Sequence, residues 1–383
     1  MDTELSASER EWQQQIRRYA DERVAPGSRE REEAHEIPHA LIREMAERGL
    51  LGVNVSKDFG GVGRGVVPYA IAMREIGRAD ASVAVTMAVT NMAAEVIIQF
   101  GTAEQRQKYV PRITSGEFFG AAFALSEQGS GSDAASMTTR AERKNGGWVL
   151  NGEKMWITTG DLAGVFVLWA RTGGPGARGV SCFLVEPDAP GFSAGKPEEK
   201  LGLRASHTTS LTLDDVQLPA SALLGEVGGG FKVAMVALDG GRIGVGAQAS
   251  GIGKAALNCA RDIATEATTS GRLADQQGVQ FQIADMATEL DAGWLLTLRA
   301  AWLKDQKDRR FSREAAMAKV VASEAANRAT RAAVQIAGGR GHMDDYLPGR
   351  LMRDCRVTQI YEGTSEVQRL VIGREVLKSG VAP

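Results

Sequence analysis

The chain has eleven prolines, and none falls between Pro219 and Pro348. Proline lacks a backbone donor and clashes with the preceding helical turn. A window this long without it, rich in Ala, Leu, Met, Glu and Arg, predicts several long helices. Within it Ile283, Ala287, Leu290, Trp294, Leu298 and Trp302 recur at spacings of three or four. That spacing predicts an apolar stripe facing the core of a helix bundle. From about Trp148 to Pro219 the texture changes. Val165–Phe166–Val167–Leu168–Trp169 and Val180–Ser181–Cys182–Phe183–Leu184–Val185 are β-favouring runs bounded by Gly and Pro. Leu211, Leu213 and Val216 continue the pattern after Thr208–Thr209, and Asn151–Gly152 after Trp148–Val149–Leu150 predicts a hairpin turn. This stretch predicts a small antiparallel β domain. Residues 1 to about 120 return to helical periodicity. There Leu41, Ile42, Met45, Ala46 and Leu50 form one face closed by Gly49 and Gly52, and a glycine-rich loop over 59–65 precedes a helix from about Pro68. The predicted fold class is α+β: a helical N-terminal domain over 1–120, a β domain over 121–225 and a helical bundle over 226–383. Helix, sheet, helix is not the alternation that builds a parallel nucleotide-binding sheet.

At 383 residues the chain is long enough for two or three packed units. A formal net charge of -2 leaves no electrostatic footprint for nucleic acid or an anionic membrane. Cys182, Cys259 and Cys355 are odd in number and far apart, which suits neither a disulfide framework nor a metal site and points to a reducing cytoplasm. Asp2 and Glu4 open a segment without an apolar core, so no secretory signal is expected. No uninterrupted apolar run approaches the ~20 residues that span a bilayer.

Two motifs invite over-reading. Gly174–Pro175–Gly176–Ala177–Arg178–Gly179 satisfies G-x-G-x-x-G, but it leads into a strand rather than a helix. Phosphate binding by that motif needs the helix N-terminus, so a hairpin loop is expected instead. His35 and His39 stand four apart with Pro38 between them, and with His207 and His342 they show no metal-ligand spacing. Surface positions are expected for all four.

Tyr361–Glu362–Gly363–Thr364–Ser365–Glu366–Val367–Gln368 is more informative. Ser365 and Gln368 form a capping-box pattern, which predicts a helix start at Ser365 with N–H groups suited to an anion. Glu362 lies just before it, and Gly363 lets the chain or a ligand come close. A carboxylate beside Ile360 and Tyr361 is expected to be partly desolvated, raising its pKa toward that of a useful base. On spacing alone, a solvated acid at a helix start remains the other reading. The loop Ser126–Glu127–Gln128–Gly129–Ser130–Gly131–Ser132–Asp133 and the segment Trp156–Ile157–Thr158–Thr159–Gly160 suit close approach to a polar ligand.

Taken together these segments resemble the acyl-CoA dehydrogenase family, nearest to its short-chain (butyryl-CoA) members, from about residue 10 to about residue 378. The resemblance includes Phe59–Gly60–Gly61, Ala79–Asp80–Ala81–Ser82, residues 123–133 and Asn151–Gly152–Glu153–Lys154–Met155–Trp156–Ile157–Thr158. It continues through Lys200–Leu201–Gly202–Leu203–Arg204–Ala205–Ser206 and residues 238–243, 335–341 and 360–370. It implies FAD between the middle and C-terminal domains, completed by a neighbouring subunit of a homotetramer. Leu125, Ser126 and Thr158 would bond the flavin ring, with Trp156 and Ile157 beside it and Phe123 and Gly131 also at the cofactor. Gln277, Gln335, Ile336, Ala337, Gly338 and Gly339 would contact the dinucleotide, and Thr364, Ser365 and Glu366 its phosphates. Ser132, which also counts among the cofactor residues, would with Asp239, Arg242 and Gly363 contact acyl-CoA.

The implied reaction is removal of the α-proton by Glu362 with hydride transfer to flavin, giving a trans-2-enoyl thioester. The Glu362 N–H and a FAD ribityl hydroxyl would hold the thioester carbonyl. Some family branches place the base one residue before the arginine matching Arg242. Here that residue is Gly241, which leaves Glu362 and favours the straight-chain branch. Electrons would pass to an electron-transfer flavoprotein. An acyl-carrier-protein dehydrogenase and a non-catalytic scaffold are the alternatives. One departure stands out. Where the family usually carries R-x-x-F-G, reaching FAD phosphates across the subunit interface, this chain reads Ala267–Thr268–Thr269–Ser270–Gly271. Arg272 is the nearest candidate substitute.

Overall fold

The structure, a computed structural model, describes residues 4–379 apart from 268, 270 and 309. Six helices come first: α1 Ala7–Tyr19, α2 Ser28–Ala34, α3 His39–Glu47, α4 Val66–Ala79, α5 Ala81–Phe100 and α6 Ala103–Thr114. Eight strands follow: β1 Ala121–Ala124, β2 Arg140–Lys144, β3 Gly147–Thr158, β4 Val165–Arg171, β5 Val180–Val185, β6 Phe192–Ala194, β7 Thr208–Leu218 and β8 Leu223–Leu224. The chain closes with α7 Gly230–Thr265, α8 Gln277–Asp305, α9 Phe311–Ala337, α10 Leu347–Arg356 and α11 Ser365–Ser379.

The proline-free window is three long helices, as expected. In α8 the apolar stripe is buried in its middle, at Leu290, Trp294 and Leu298, whereas Ala287 and Trp302 face outward. A straight helix rotates away from a fixed spacing over that length, so neighbours such as Met286 and Leu303 replace them in the core. The α7 helix carries glycines where its neighbours press closest. A Cβ on Gly251 would lie 2.3 Å from the Arg74 carbonyl oxygen of α4, and one on Gly253 2.2 Å from Leu290 of α8. The helical weakness of glycine is offset there by tight packing. Helix α5 is long and apolar enough to cross a membrane, although Thr, Asn, Glu and Gln interrupt it. Here 83% of its apolar window is buried inside the protein.

The strands form one sheet in the order β6-β7-β3-β2-β4-β5-β8, with β1 also on β4. Pairings β2–β3, β3–β7, β4–β5, β5–β8 and β6–β7 are antiparallel as expected, while β1–β4 and the short β2–β4 contact are parallel. Strand β4 is buried on both faces. Val165, Val167 and Trp169 join the core shared with α5, α6 and α7, and Phe166, Leu168 and Ala170 face the opposite core. That double burial explains its uninterrupted apolar run. The hairpin turn is at Asn145–Gly146, both with positive φ, and not at Asn151–Gly152. The latter pair lies inside β3 at a register shift, where a Cβ on Gly152 would meet Thr139 at 2.7 Å. The G-x-G-x-x-G segment is the β4–β5 hairpin loop, tied down by Arg171 through the Gly174 and Gly176 carbonyls (2.6 and 3.2 Å).

The layers are joined by specific bonds. Asp305 at the end of α8 accepts from Val66 N and Val67 N (2.8 and 3.1 Å), capping α4. Trp169 donates from Nε1 to the Gly230 carbonyl (2.7 Å), seating α7 on the sheet. His35 and His342 are exposed, but His39 and His207 are half-buried and bonded, to the Gly116 carbonyl and to Asp161 respectively. Among the described residues no cluster of three or more His, Cys, Asp or Glu can hold a metal ion.

Candidate active site

Glu362 sits between the 3-10 turn Val357–Gln359 and α11. Its φ of 55° and that of Gly363, 83°, put two successive residues in the left-handed region. For a glutamate that conformation costs roughly 1–2 kcal/mol, so other contacts hold it. Gln368 Nε2 donates to the Glu362 and Gly363 carbonyls (3.0 and 2.9 Å), and Lys319 Nζ donates to the Gly363 carbonyl (2.7 Å). Tyr361 donates its hydroxyl to Gln248 Oε1 on α7. The helix begins at Ser365 as expected, but Thr364 caps it, its hydroxyl oxygen accepting from Val367 N (3.3 Å). The capping-box reading is corrected accordingly: Gln368 bonds the two carbonyls of the turn instead, and the buried Ser365 hydroxyl has no partner among the described residues.

Two chambers meet at Glu362. The first, of about 550 Å³, is walled by Val89 and Met92 of α5, Phe231, Met235 and Leu238 of α7, and Val367 of α11. The second, of about 560 Å³, lies between Leu201, Gly202 and Leu203, the end of α10, and Thr364. Ser126, Gly131, Ser132, Trp156, Thr158, Tyr361, Glu362 and Gly363 line both. Large apolar side chains stand open at the second chamber: Trp156 is 51% exposed, Leu201 61% and Ile360 50%. The irregular β3–β7 register between Lys154 and Ile157 lifts Trp156 out of the ladder with φ 59°.

The Glu362 Oε2 atom is buried and has no hydrogen-bond partner among the described residues. Burial pushes this carboxyl up to about 7, with the charges of Arg242 and Lys319 pulling it the other way. The Glu362 N–H likewise donates to no described residue. An unpaired carboxylate oxygen with a pKa near neutrality, beside an unpaired backbone donor and an apolar chamber, is equipped to take a proton from a carbon acid whose carbonyl that donor holds.

Gly241 makes the space for it. A Cβ at that position would lie 2.4 Å from Glu362 Oε2 and 3.1 Å from Met92 Sδ. Gly241→Ala is therefore expected to displace the carboxylate and lower the rate of proton abstraction by about 100-fold, as roughly 1 Å of misplacement does elsewhere. Stopped-flow measurement of that rate at an unchanged melting temperature checks this, and an unaltered rate counts against it.

Below the shared wall, Lys154 donates to Glu127 Oε1 (2.9 Å) and the Leu125 carbonyl (3.2 Å), and Met155 N donates to the Ser126 carbonyl (3.0 Å). Glu127 accepts in addition from Thr138 N (2.6 Å) and Thr139 N (3.0 Å). This network fixes the Leu125–Ser126 backbone at the chamber. The opposite wall is fixed by Asp354, whose Oδ1 accepts from Leu203 N (2.6 Å).

Of the residues expected at the site, Phe123, Leu125, Ser126, Gly131, Ser132, Trp156, Thr158, Arg242, Glu362, Gly363 and Thr364 line the chambers. Ile157 instead points its side chain into the sheet core. Asp239 does not line either chamber; it pairs with Arg242 and accepts from Ser312 (2.9 Å). Ser365 is buried and Glu366 is exposed at the first turn of α11. Gln277, Gln335, Ile336, Ala337, Gly338 and Gly339 are not brought to the chambers. They lie at the α8 start and α9 end, where Arg340 reaches Glu266 (3.3 Å) just past α7. Ala267 is exposed beside them, Thr268 and Ser270 lie outside the described residues, and Arg272 is exposed and bonded to Asp275 (2.8 Å).

Sequence reasoning missed Lys319 and the structural part of Lys154 and Glu127. The available signal was a charge at a core position. Lys319 falls among the alanines of the buried α9 face, and Lys154 shares the inward parity of Trp148 and Leu150 on β3.

Family models described as the N-terminal, middle and C-terminal domains of acyl-CoA dehydrogenase match residues 6–117, 122–216 and 228–377. The short-chain specific acyl-CoA dehydrogenase, mitochondrial, of Bos taurus is 45% identical over 379 residues, 98% of this chain and 92% of that protein. Among solved structures, butyryl-CoA dehydrogenase from Megasphaera elsdenii superposes with a TM-score of 0.95 at 38% identity, covering 98% of this chain and 100% of that one. A chain from work on the electron transferring flavoprotein of Acidaminococcus fermentans and flavin-based electron bifurcation gives 0.96 at 40% identity, covering 99% and 100%.

Proposed function

This chain belongs to the acyl-CoA dehydrogenase family of flavoprotein oxidoreductases, and on that premise we propose that it converts a short- or medium-chain acyl-CoA to the trans-2-enoyl thioester with FAD and passes the electrons to an electron-transfer flavoprotein. The observation that carries this reading is the unpartnered Glu362 carboxylate oxygen at the junction of the two chambers. The apolar first chamber suits an acyl chain. The second suits an isoalloxazine: a half-exposed indole and exposed Leu201 and Ile360 are features that a bound flavin nucleotide would cover.

In this reading Ser126, Trp156 and Thr158 hold the flavin, with Leu125 on the adjoining wall of the first chamber, and Thr364 with the first turn of α11 faces its phosphates. FAD, when bound, supplies the acceptor for the β-hydrogen as hydride. Glu362 takes the α-proton on Oε2, and its own N–H stabilises the developing enolate oxygen. Arg242, paired with Asp239, borders the acyl chamber and holds a positive charge near the base.

The protein works as a homotetramer in the cytoplasm, each flavin completed by residues of a neighbour. At that end of the bundle Ala267 lacks the phosphate-binding arginine, and Arg272 is already engaged by Asp275. Wild-type protein is therefore expected to be purified with less than one FAD per chain. A charge-assisted bond to phosphate is worth roughly 1.5–3 kcal/mol, so Ala267→Arg should tighten FAD binding by about tenfold to a hundredfold. Flavin content after dialysis, with sedimentation followed at a flavin wavelength, reads occupancy and assembly together. Full occupancy in the wild type and no change in the variant would remove the arginine argument, and an active monomer would remove the tetramer.

A further inference from the structure

One of the two cations that face the base comes from α9, a helix that lines neither chamber. Lys319 lies in α9 with a relative exposure of 0%, among Ala315, Ala316, Ala318 and Ala322. Its ammonium donates to the Gly363 carbonyl at 2.7 Å, and among the described residues no carboxylate lies within 4.0 Å of it. An ammonium buried without a counter-ion is costly, and such groups persist where something else depends on them. Arg242 on α7, the other cation facing Glu362, is instead paired with Asp239. The remaining charges around Lys319 are Glu366 on α11 and Glu324 on its own helix. Glu324 is engaged by Arg369, and Glu366 is exposed to solvent.

Resting on the reading of Glu362 as the base, we propose that Lys319 is a positioning residue for proton abstraction, locking the left-handed Glu362–Gly363 turn through the Gly363 carbonyl and holding a positive charge near the carboxylate. The two effects are separable. Gln368 already bonds the Glu362 and Gly363 carbonyls, so the lysine adds a second, charged anchor to the residue after the base. That anchor fixes the backbone dihedrals from which the carboxylate and the Glu362 N–H project. The charge opposes the effect of burial, which by itself protonates the base. Burial lowers the lysine to about 8, so it remains charged at pH 7.

The test uses the flavin-loaded protein with butyryl-CoA. Lys319→Gln keeps a donor and removes the charge; Lys319→Met removes both. In the wild type, flavin reduction rises with pH through about 7, where Glu362 ionises. In Lys319→Gln that limb should move up by about one pH unit with KM unchanged, the lower end of what a neighbouring opposite charge does. In Lys319→Met the same shift should come with a roughly tenfold lower plateau, because the turn loosens. Infrared difference titration of the carboxyl without substrate should show the same displacement. A limb and a carboxyl band that stay at the wild-type pH in both folded variants overturn the inference. Failure of both variants to fold also overturns it, by assigning Lys319 to stability alone. Glu362→Gln separates the two readings. A limb near pH 7 that survives in that variant overturns the base assignment and this inference with it. A limb lost there but unmoved in Lys319→Gln overturns this inference only.

Discussion

Replacing Glu362 by glutamine is expected to slow flavin reduction by butyryl-CoA about 100- to 10,000-fold, the usual contribution of a positioned base. The amide matches the carboxylate in shape, and among the described residues Oε2 makes no hydrogen bond that the change could break, so fold and flavin content should survive. No second carboxylate stands ready, because Gly241 occupies the alternative position and Asp239 is held by Arg242. Stability should move the other way from activity. The folded carboxyl is raised to about 7 from an ordinary value of 4.5. A raised pKa contributes stability that is fully present below the unfolded value and is lost as pH rises through the folded one. Glu362→Gln should therefore match the wild type below about pH 4.5 and exceed it above pH 7 by up to about 3 kcal/mol. Stopped-flow reduction and urea titration at pH 4.5 and 8 measure the two effects. A reduction rate within tenfold of wild type would remove Glu362 from the role of base.

Lys154→Met should give the largest loss of stability, about 3–5 kcal/mol, because it leaves the Glu127 charge buried without its partner. Both side chains are almost wholly buried, and the ammonium also holds the Leu125 carbonyl at the chamber wall. The damage should reach function as weaker flavin binding, since the Leu125–Ser126 backbone loses its anchor. Glu127→Gln in the same chain removes the stranded charge and should restore a good part of the loss, while neither single variant should match the double. The pH dependence has a definite sign. Lys154 and the Thr138 and Thr139 donors outweigh burial and hold the Glu127 carboxyl down to about 2. Its stabilisation is present above the ordinary carboxylate value and is lost as pH falls toward 2, so the gap between wild type and Lys154→Met should narrow in acid. Urea midpoints at pH 7 and pH 3 decide it. A loss below about 1 kcal/mol at pH 7 would show that the pair adds little beyond apolar packing.

How much of this was legible in the chain follows from which signals are local. The absence of proline over 220–347 and the β-favouring runs at 165–169 and 180–185 are local, and helix, sheet, helix followed from them. The proposed base was singled out through the family resemblance. Glu362 precedes a glycine and a helix start, and Gly241 marked the vacant alternative. Local signals misled where two similar ones competed. Asn145–Gly146 and Asn151–Gly152 are the same dipeptide, and only pairing with β2 on one side and β7 on the other shows which one turns. The same holds at the helix cap, where Thr364 rather than Ser365 takes the role because Gln368 is drawn to two carbonyls by the shape of the turn.

The sequence by itself determined the element types and their order, because hydrophobic period and turn chemistry act within a few residues, and family resemblance singled out Glu362 as the proposed base. Tertiary structure alone decided what raises the pKa of that carboxylate toward neutrality. The chamber that desolvates it is built from α5, α7 and α11, and the cations that restrain its pKa come from α7 and α9, 120 and 43 residues upstream by the numbering of Arg242, Lys319 and Glu362. Burial and Coulomb interaction depend on distance through space, and no pattern along the chain encodes a distance between helices until they are packed.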